Sequence, residues 1–322
     1  MEGEKESLIS ATEKVFKKAG FETSICSLRS CYDIIARGKT CTFLVKTIPN
    51  VDSLSHEYID ALKQLCYYFK AHPLIVSMRT KHEMIHPGVV HSRDDIPVVS
   101  IETLEQTIIE DVPPLVYADR GGLYVRIEGE LLKRIRERMG FSLSDFAKEI
   151  GISRSTLYDY EHSERGIELN TAIKIEDIVD LPLIKPYDLQ KRLDVYKESV
   201  DKQPKTSFER DVYALFDTIG VEAHPMIRTP FEAVVKEEDE EEDAFFMLTG
   251  ISDMDLRSVK KRIMVVREIS ELLDKDAFFI LDAKTTHRII KGVPIVMRTE
   301  MDQIADYDTI LEYVKERKEK LD

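Results

Sequence analysis

The residues best suited to chemistry crowd into one stretch, FSLSDFAKEIGISRSTLYDYE, from Phe141 to Glu161. Arg154 can donate two parallel hydrogen bonds to a guanine edge, and the hydroxyls of Ser153, Ser155, Thr156 and Tyr158 suit phosphates or less selective base contacts. Ser144 and Lys148 can hold a sugar–phosphate backbone. This is the chemistry of recognising double-stranded DNA rather than of breaking bonds. The sequence offers no Ser-His-Asp grouping, and Arg120-Gly121-Gly122 is too short to cradle a phosphate. Cys26, Cys31, Cys41 and Cys66 lack the C-x-x-C spacing and paired histidines of a zinc site, so they read as reduced thiols. No metal and no cofactor is expected.

Two short helices must carry the stretch. Leu143, Phe146, Ala147 and Ile150 recur at helical spacing, and Ile152, Leu157 and Tyr160 supply the next apolar set. Between them Gly151 can take the positive φ that ends a helix, and Ser153 is a good N-cap. Ala147 is small where the helices must approach. Upstream, Leu131, Leu132, Ile135 and Met139 form an apolar stripe stopped by Gly140; downstream, Leu169, Ala172, Ile173, Ile175 and Ile178 predict one or two closing helices.

This pattern resembles the Cro/repressor-type helix-turn-helix domains over Leu131 to Glu161: the small residue in the second helix, the turn glycine, the apolar residue after it and both apolar anchors of the third helix are present. The resemblance implies that the helix Ser153 to Glu161 enters the major groove and that the preceding helix crosses the backbone. By that implication Ser153, Arg154, Ser155, Thr156 and Tyr158 face outward.

A formal charge of −14 sits oddly with binding a polyanion. From Arg120 to Gly166, however, nine Lys/Arg meet eight Asp/Glu, so this portion is +1 and the remainder −15. Binding follows the local potential within a Debye length of about 10 Å, not the chain total. Asp159 and Glu161 still oppose binding and imply a weak module, hence a homodimer.

The flanks read as two versions of one α/β pattern. EKVFKKAGFETS (Glu13 to Ser24) matches YALFDTIGVEAH (Tyr213 to His224), and the stretch from Arg29 to Ile48 matches that from Arg228 to Ile251, with the acidic run Glu237 to Asp243 expanding a turn. Two amphipathic helices follow, striped by Leu54, Tyr58, Leu62, Leu65 and Phe69 and by Leu256, Val259, Ile263, Val266 and Ile269. Each precedes an apolar strand ending in Thr-x-His, at His82 and His287, which read as structural residues. Each copy therefore predicts helix, two strands, helix, strand, strand, helix. The alternation around Asp119-Arg120-Gly121-Gly122 predicts a β-hairpin that either touches a DNA backbone through Arg120 and Arg126 or only packs on the bundle.

That order resembles the restriction-endonuclease-like fold in degenerate form. Nucleases of that type hold Mg²⁺ with two carboxylates beside a lysine. Asp33 and Lys46 occupy plausible places, with Glu13 an outer partner, but Leu44 stands where the second acid belongs. The second copy has Glu232, Met247 and Thr249 there, and its Asp282-Ala283-Lys284 comes out of order. Neither copy is expected to be an enzyme; a Mg-dependent nuclease is the alternative.

Over its full length the chain resembles the archaeal HTH-type transcriptional regulatory proteins, most specifically in DRGGLYVRIEGE (Asp119 to Glu130) and the recognition segment. The resemblance implies a sequence-specific regulator whose flanks oligomerise or sense; the effector stays open. The expected class is α+β multidomain: an α/β flank over 1–112, a hairpin over 113–127, an all-α helix-turn-helix bundle over 128–186, a linker over 187–206 and the second flank over 207–322. No apolar run approaches the ~20 residues that cross a bilayer, and MEGEKESLIS lacks a signal's apolar core, so a cytoplasmic protein is expected.

Overall fold

A computed structural model of the chain describes residues 2–163, 165–190, 203–237, 246–283, 285 and 287–319. Most of the expected linker and acidic run, and Lys284, lie outside the described residues. The first flank runs α1 (Glu2–Lys18), β1 (Glu22–Ile25), β2 (Ile34–Arg37), β3 (Thr42–Asn50), α2 (His56–Phe69), β4 (His72–Arg79), β5 (Val89–Arg93), β6 (Ile96–Val99) and α3 (Ile101–Ile108). Then come β7 (Val116–Asp119), β8 (Gly122–Ile127), α4 (Gly129–Arg138), α5 (Leu143–Ile150), α6 (Arg154–His162), β9 (Ile167–Glu168), α7 (Leu169–Val179) and β10 (Ile184–Lys185). The second flank runs α8 (Ser207–Thr218), β11 (Val221–Pro225), β12 (Ala233–Glu237), β13 (Met247–Ser252), α9 (Leu256–Leu273), β14 (Asp276–Leu281), β15 (Ile289–Ile290), β16 (Val293–Met297) and α10 (Tyr307–Glu319). Among the described residues no helix is long and apolar enough to cross a membrane.

Packing divides the chain into two compact units. One comprises Met1–Ala19, Thr47–Ser53 and Leu74–Lys191; the other comprises Gly20–Lys46, Leu54–Pro73 and Arg192–Asp322. The first flank is thus shared between the units.

In the first unit β4 and β6 are parallel, β6 and β5 antiparallel, and β5 continues in parallel to β7. The hairpin β7–β8 closes on a two-residue turn, with Asp119 opposite Gly122 and Gly121 at φ 93°. Gly122 opens β8 without positive φ. β8 pairs further with β9 and β10, which bracket α7, and Val125 enters the helical core beside Leu132, Phe146, Ala147, Leu157, Ala172 and Ile175. Two residues of the predicted stripes fall outside that core: Met139, just past the end of α4, and Ile173 are exposed.

In the second unit β1, β2 and the start of β3 are antiparallel, as are β11, β12 and β13. From β13 the sheet goes on in parallel through β14 to β16, with β15 antiparallel at its edge. Phe208, Val212 and Phe216 of α8 share its core with Phe278, Ile280, Ile310 and Val314. α9 packs on β13 and β14 of its own copy and also on β1 and β2 of the first; of its predicted stripe Val259, Ile263, Val266 and Ile269 are buried, Leu256 is half-buried, and Val265 is buried besides.

Each flank has three strands before its middle helix and three after it, where the sequence predicts two and two. Of the four missed strands, β1, β5 and β11 are four or five residues long and largely half-exposed and β15 has two residues, so they carry little alternation. The matched glycines end the first helix of each copy at positive φ, Gly20 at 82° and Gly220 at 67°. Each copy also closes a two-residue hairpin with both central residues at positive φ, Asp94-Asp95 and Lys291-Gly292, as a type I′ turn requires.

Candidate nucleic-acid interface

α5 and α6 are joined as their end residues dictate. The Ser142 hydroxyl accepts from Asp145 N–H (3.1 Å) to start α5, Gly151 ends it at φ 88°, and Ser153 Oγ accepts from Thr156 N–H (3.0 Å) to start α6. The buried edge of α6 is Leu157, Tyr160 and Glu161. Its opposite edge is therefore outward: Ser153, Arg154, Ser155 and Tyr158 are exposed, as are Ser144 and Lys148 on α5. Thr156 is only half-buried, and its Oγ1 lies 2.7 Å from Ser153 Oγ, which is also 2.8 Å from Ser155 Oγ. These three hydroxyls form one capping cluster, and Ser153 is held in it by its cap bond.

Two carboxylates that the sequence sets against DNA have internal partners. Glu161 is buried and grips Arg136 with both oxygens (2.6 and 2.9 Å), while Arg136 also donates to Phe141 O at 2.9 Å. This hydrogen bond raises the Arg136 pKa, so the guanidinium stays charged. Glu161 is a strut between α4 and α6, and the penalty expected from it falls away. Asp159 remains partly exposed beside Arg165 at 3.5 Å.

Sequence reasoning missed His162 and Lys133. The His162 ring stacks on that of Tyr158 (centroids 4.2 Å apart, 21° between planes), its Nδ1 lies 2.9 Å from Tyr158 O, and its Nε2 lies 3.3 Å from Lys133 Nζ. The i, i+4 spacing of Tyr158 and His162 was the available signal. On the hairpin, Arg126 lies 5.8 Å from the Tyr117 ring and 5.7 Å from the Tyr187 ring, so it packs, whereas Arg120 is exposed.

The acid positions of the flanks are filled differently from a metal centre. Asp33 is buried, and Lys46 Nζ stands 3.3 Å from both of its carboxylate oxygens and donates to Ser30 O at 2.6 Å. Leu44 is fully buried where a second carboxylate would stand. In the second copy Glu232 accepts from Ile251 N–H (2.8 Å) and pairs closely with Arg262, while Met247 and Thr249 are buried. Magnesium sheds water reluctantly and asks for convergent carboxylates; one carboxylate already matched by a cation does not fit it. Glu13 pairs with Lys17 at 2.8 Å on its own helix.

His82 and His287 are exposed turn residues rather than sheet-end packing, since each N–H donates to the threonine hydroxyl two residues back (3.2 and 3.1 Å). The repeated Thr-x-His is thus a turn motif. All four cysteines are free, and burial pushes the Cys31 thiol up to about 12.

Comparison with known proteins places two domains on this chain. Residues 5–114 match the PD-(D/E)XK superfamily domain, and residues 132–185 match the helix-turn-helix domain model. A Pyrococcus furiosus protein named "Putative HTH-type transcriptional regulatory protein" is 35% identical over 97% of this chain and 98% of its own. Namesakes from Thermococcus kodakarensis (34%, 99% of both chains) and Methanocaldococcus jannaschii (33%, 97% and 96%) are similar throughout. No solved structure matches the chain.

Proposed function

Since this chain belongs to the archaeal family of HTH-type transcriptional regulatory proteins, we propose that it regulates transcription by reading a specific duplex DNA sequence with α6. The observation that carries this reading is the outward edge of α6, where Arg154 and Ser155 follow the cap with no apolar cover. Arg154 pairs with a guanine edge, Tyr158 contacts bases further along, and Ser144 and Lys148 hold the backbone. Ser153 and Thr156 offer what their capping bonds leave over. Selecting bound duplexes from a random pool tests this. Arg154→Ala is expected to erase preference at one base position at a cost of about 1–3 kcal/mol. Uniform weakening at all positions would make Arg154 a phosphate contact, and failure to enrich any sequence would defeat the reading.

A single such module buries too little surface for tight binding, so two chains read half-sites about 34 Å apart. The amphipathic helix α9 is a poor candidate for the contact between chains, because it is covered on two sides within its own unit. A chain that stays monomeric at micromolar concentration and binds single half-sites as well as paired ones would refute the dimer.

The flanks act without cutting. The match to a nuclease superfamily favours one competing reading, a Mg-dependent nuclease, against which stand Leu44 and the Asp33–Lys46 pair. Nicking that needs Mg²⁺ or Mn²⁺ and disappears in Lys46→Ala would establish that alternative.

A further inference from the structure

Arg29 and Arg228 are matched residues of the two copies, each just ahead of its copy's second strand, and they meet. The loops carrying them are joined within the second unit: Cys31 N–H and Ser30 Oγ both donate to Arg228 O, at 2.6 and 3.0 Å. Arg228 holds φ 54° to make the junction, a region that costs a non-glycine residue energy. Both guanidinium groups face one ring. Arg228 lies 4.9 Å and Arg29 5.8 Å from the centre of Tyr58, and Lys46 Nζ is 5.3 Å away. Val259, fully buried, takes the place of Tyr58 in the second copy, which therefore lacks the aromatic ring at that position.

The donors are only partly used. Arg29 Nε donates to Tyr58 Oη at 2.6 Å, which fixes the exposed guanidinium and leaves the tyrosine O–H free to donate. Among the described residues Nη1 and Nη2 of Arg29 have no partner. Arg228 is taken by Glu57 (3.0 and 2.8 Å), a half-exposed carboxylate. That hydrogen bond chiefly, with the charges of Arg228, Arg29 and Lys205 behind it, holds the Glu57 carboxyl below its ordinary range. Arg228, Arg29 and Lys205 thus act on Glu57 and Lys46 on Asp33, while the Glu209 carboxylate accepts from the Lys205 N–H at 2.7 Å; cations still outnumber carboxylates here, in a chain whose total is −14.

We propose that this junction is an oxyanion site that takes a phosphate group, bound on the free edge of Arg29 and the Tyr58 hydroxyl, with Glu57 occupying Arg228 as a built-in competitor. A guanidinium edge matches two phosphate oxygens, and a local excess of positive charge suits a phosphate dianion better than a single carboxylate. The site does not depend on what α6 reads.

Glu57 gives the test opposite signs. Calorimetric titration of the full chain with inorganic phosphate at low ionic strength is expected to saturate. Arg29→Gln should weaken binding at least tenfold, and Glu57→Gln, which releases Arg228, should tighten it several-fold, with circular dichroism confirming both folds. No saturable binding, an unchanged Arg29→Gln, or a Glu57→Gln that fails to tighten would each overturn the proposal. Random-sequence duplex titrated against the same variants separates the sources of phosphate. Weaker duplex binding by Arg29→Gln, with a salt slope lower by about one, marks a backbone phosphate; duplex binding unchanged while phosphate binding falls marks a soluble phosphate ester.

Discussion

Glu161→Ala should loosen the recognition helix more than any change on its exposed face. The Glu161 side chain is 1% exposed and that of Arg136 8%. Removing the carboxylate leaves a buried guanidinium with Phe141 O and, at the rim, Glu137 at 3.6 Å. Breaking a buried pair from one side costs about 3–5 kcal/mol, and relief from Glu137 and entering water places this case near about 3 kcal/mol. That is about a 150-fold shift in the opening equilibrium of α4 and α6. A chain of several domains need not unfold in one step, so amide hydrogen exchange is the appropriate assay. Amides of α4 and α6 should exchange about 150-fold faster, and those of α9 unchanged. Replacing both partners, Arg136→Met with Glu161→Leu, should restore most of the protection, since apolar residues of similar volume often match a buried pair. Acceleration below tenfold in the single variant, or a double variant as damaged as the single, would refute the strut.

Three further outcomes follow from local geometry. Gly129→Ala brings a Cβ to 2.5 Å from Tyr160 O and 2.9 Å from Glu161 O, so this overpacking should cost about 1–3 kcal/mol in the same exchange experiment, concentrated where α4 meets the end of α6. Ser153→Ala should cost about 1 kcal/mol by removing the cap on Thr156 N–H, while Ser153→Gly loses only a few tenths, read by exchange of the first turn of α6. Iodoacetamide at pH 8 should modify half-buried Cys41 before the other thiols, because Cys26, Cys31 and Cys66 are buried and burial raises their pKa values; mass spectrometry showing Cys31 labelled first would contradict this.

Much of this architecture is legible in the sequence where the signal is local. Gly151 and Ser153 announce a helix end and a helix start by backbone and hydroxyl chemistry alone, and both act so in the structure. The matched Gly20 and Gly220 reveal the repeat because both must take positive φ. The sequence sets Glu161 against DNA because its partner Arg136 lies 25 residues away, beyond any local signal. The Thr-x-His repeat reads as structural in the sequence and is so, but the threonine hydroxyl, not the histidine ring, carries the motif. The strands β1, β5, β11 and β15 escaped because pairing, not alternation, defines strands so short and half-exposed.

At the two acid positions the carboxylate is held by an internal cation. Asp33 is met by Lys46 from β3, and Glu232 by Arg262 from α9, so the acid is common to both copies and the cation is not. In each case the cation also donates to a carbonyl of the loop ahead of the second strand: Lys46 to Ser30 O, and Arg262 Nε to Pro230 O at 3.2 Å. Those are the loops that join the copies and bring Arg29 and Arg228 to Tyr58. A buried carboxylate without a partner would be costly, whereas one that clamps a cation onto a loop carbonyl fixes that loop. The acid position therefore holds the junction in place, and loosening it should disturb the arginine pair before it disturbs either sheet.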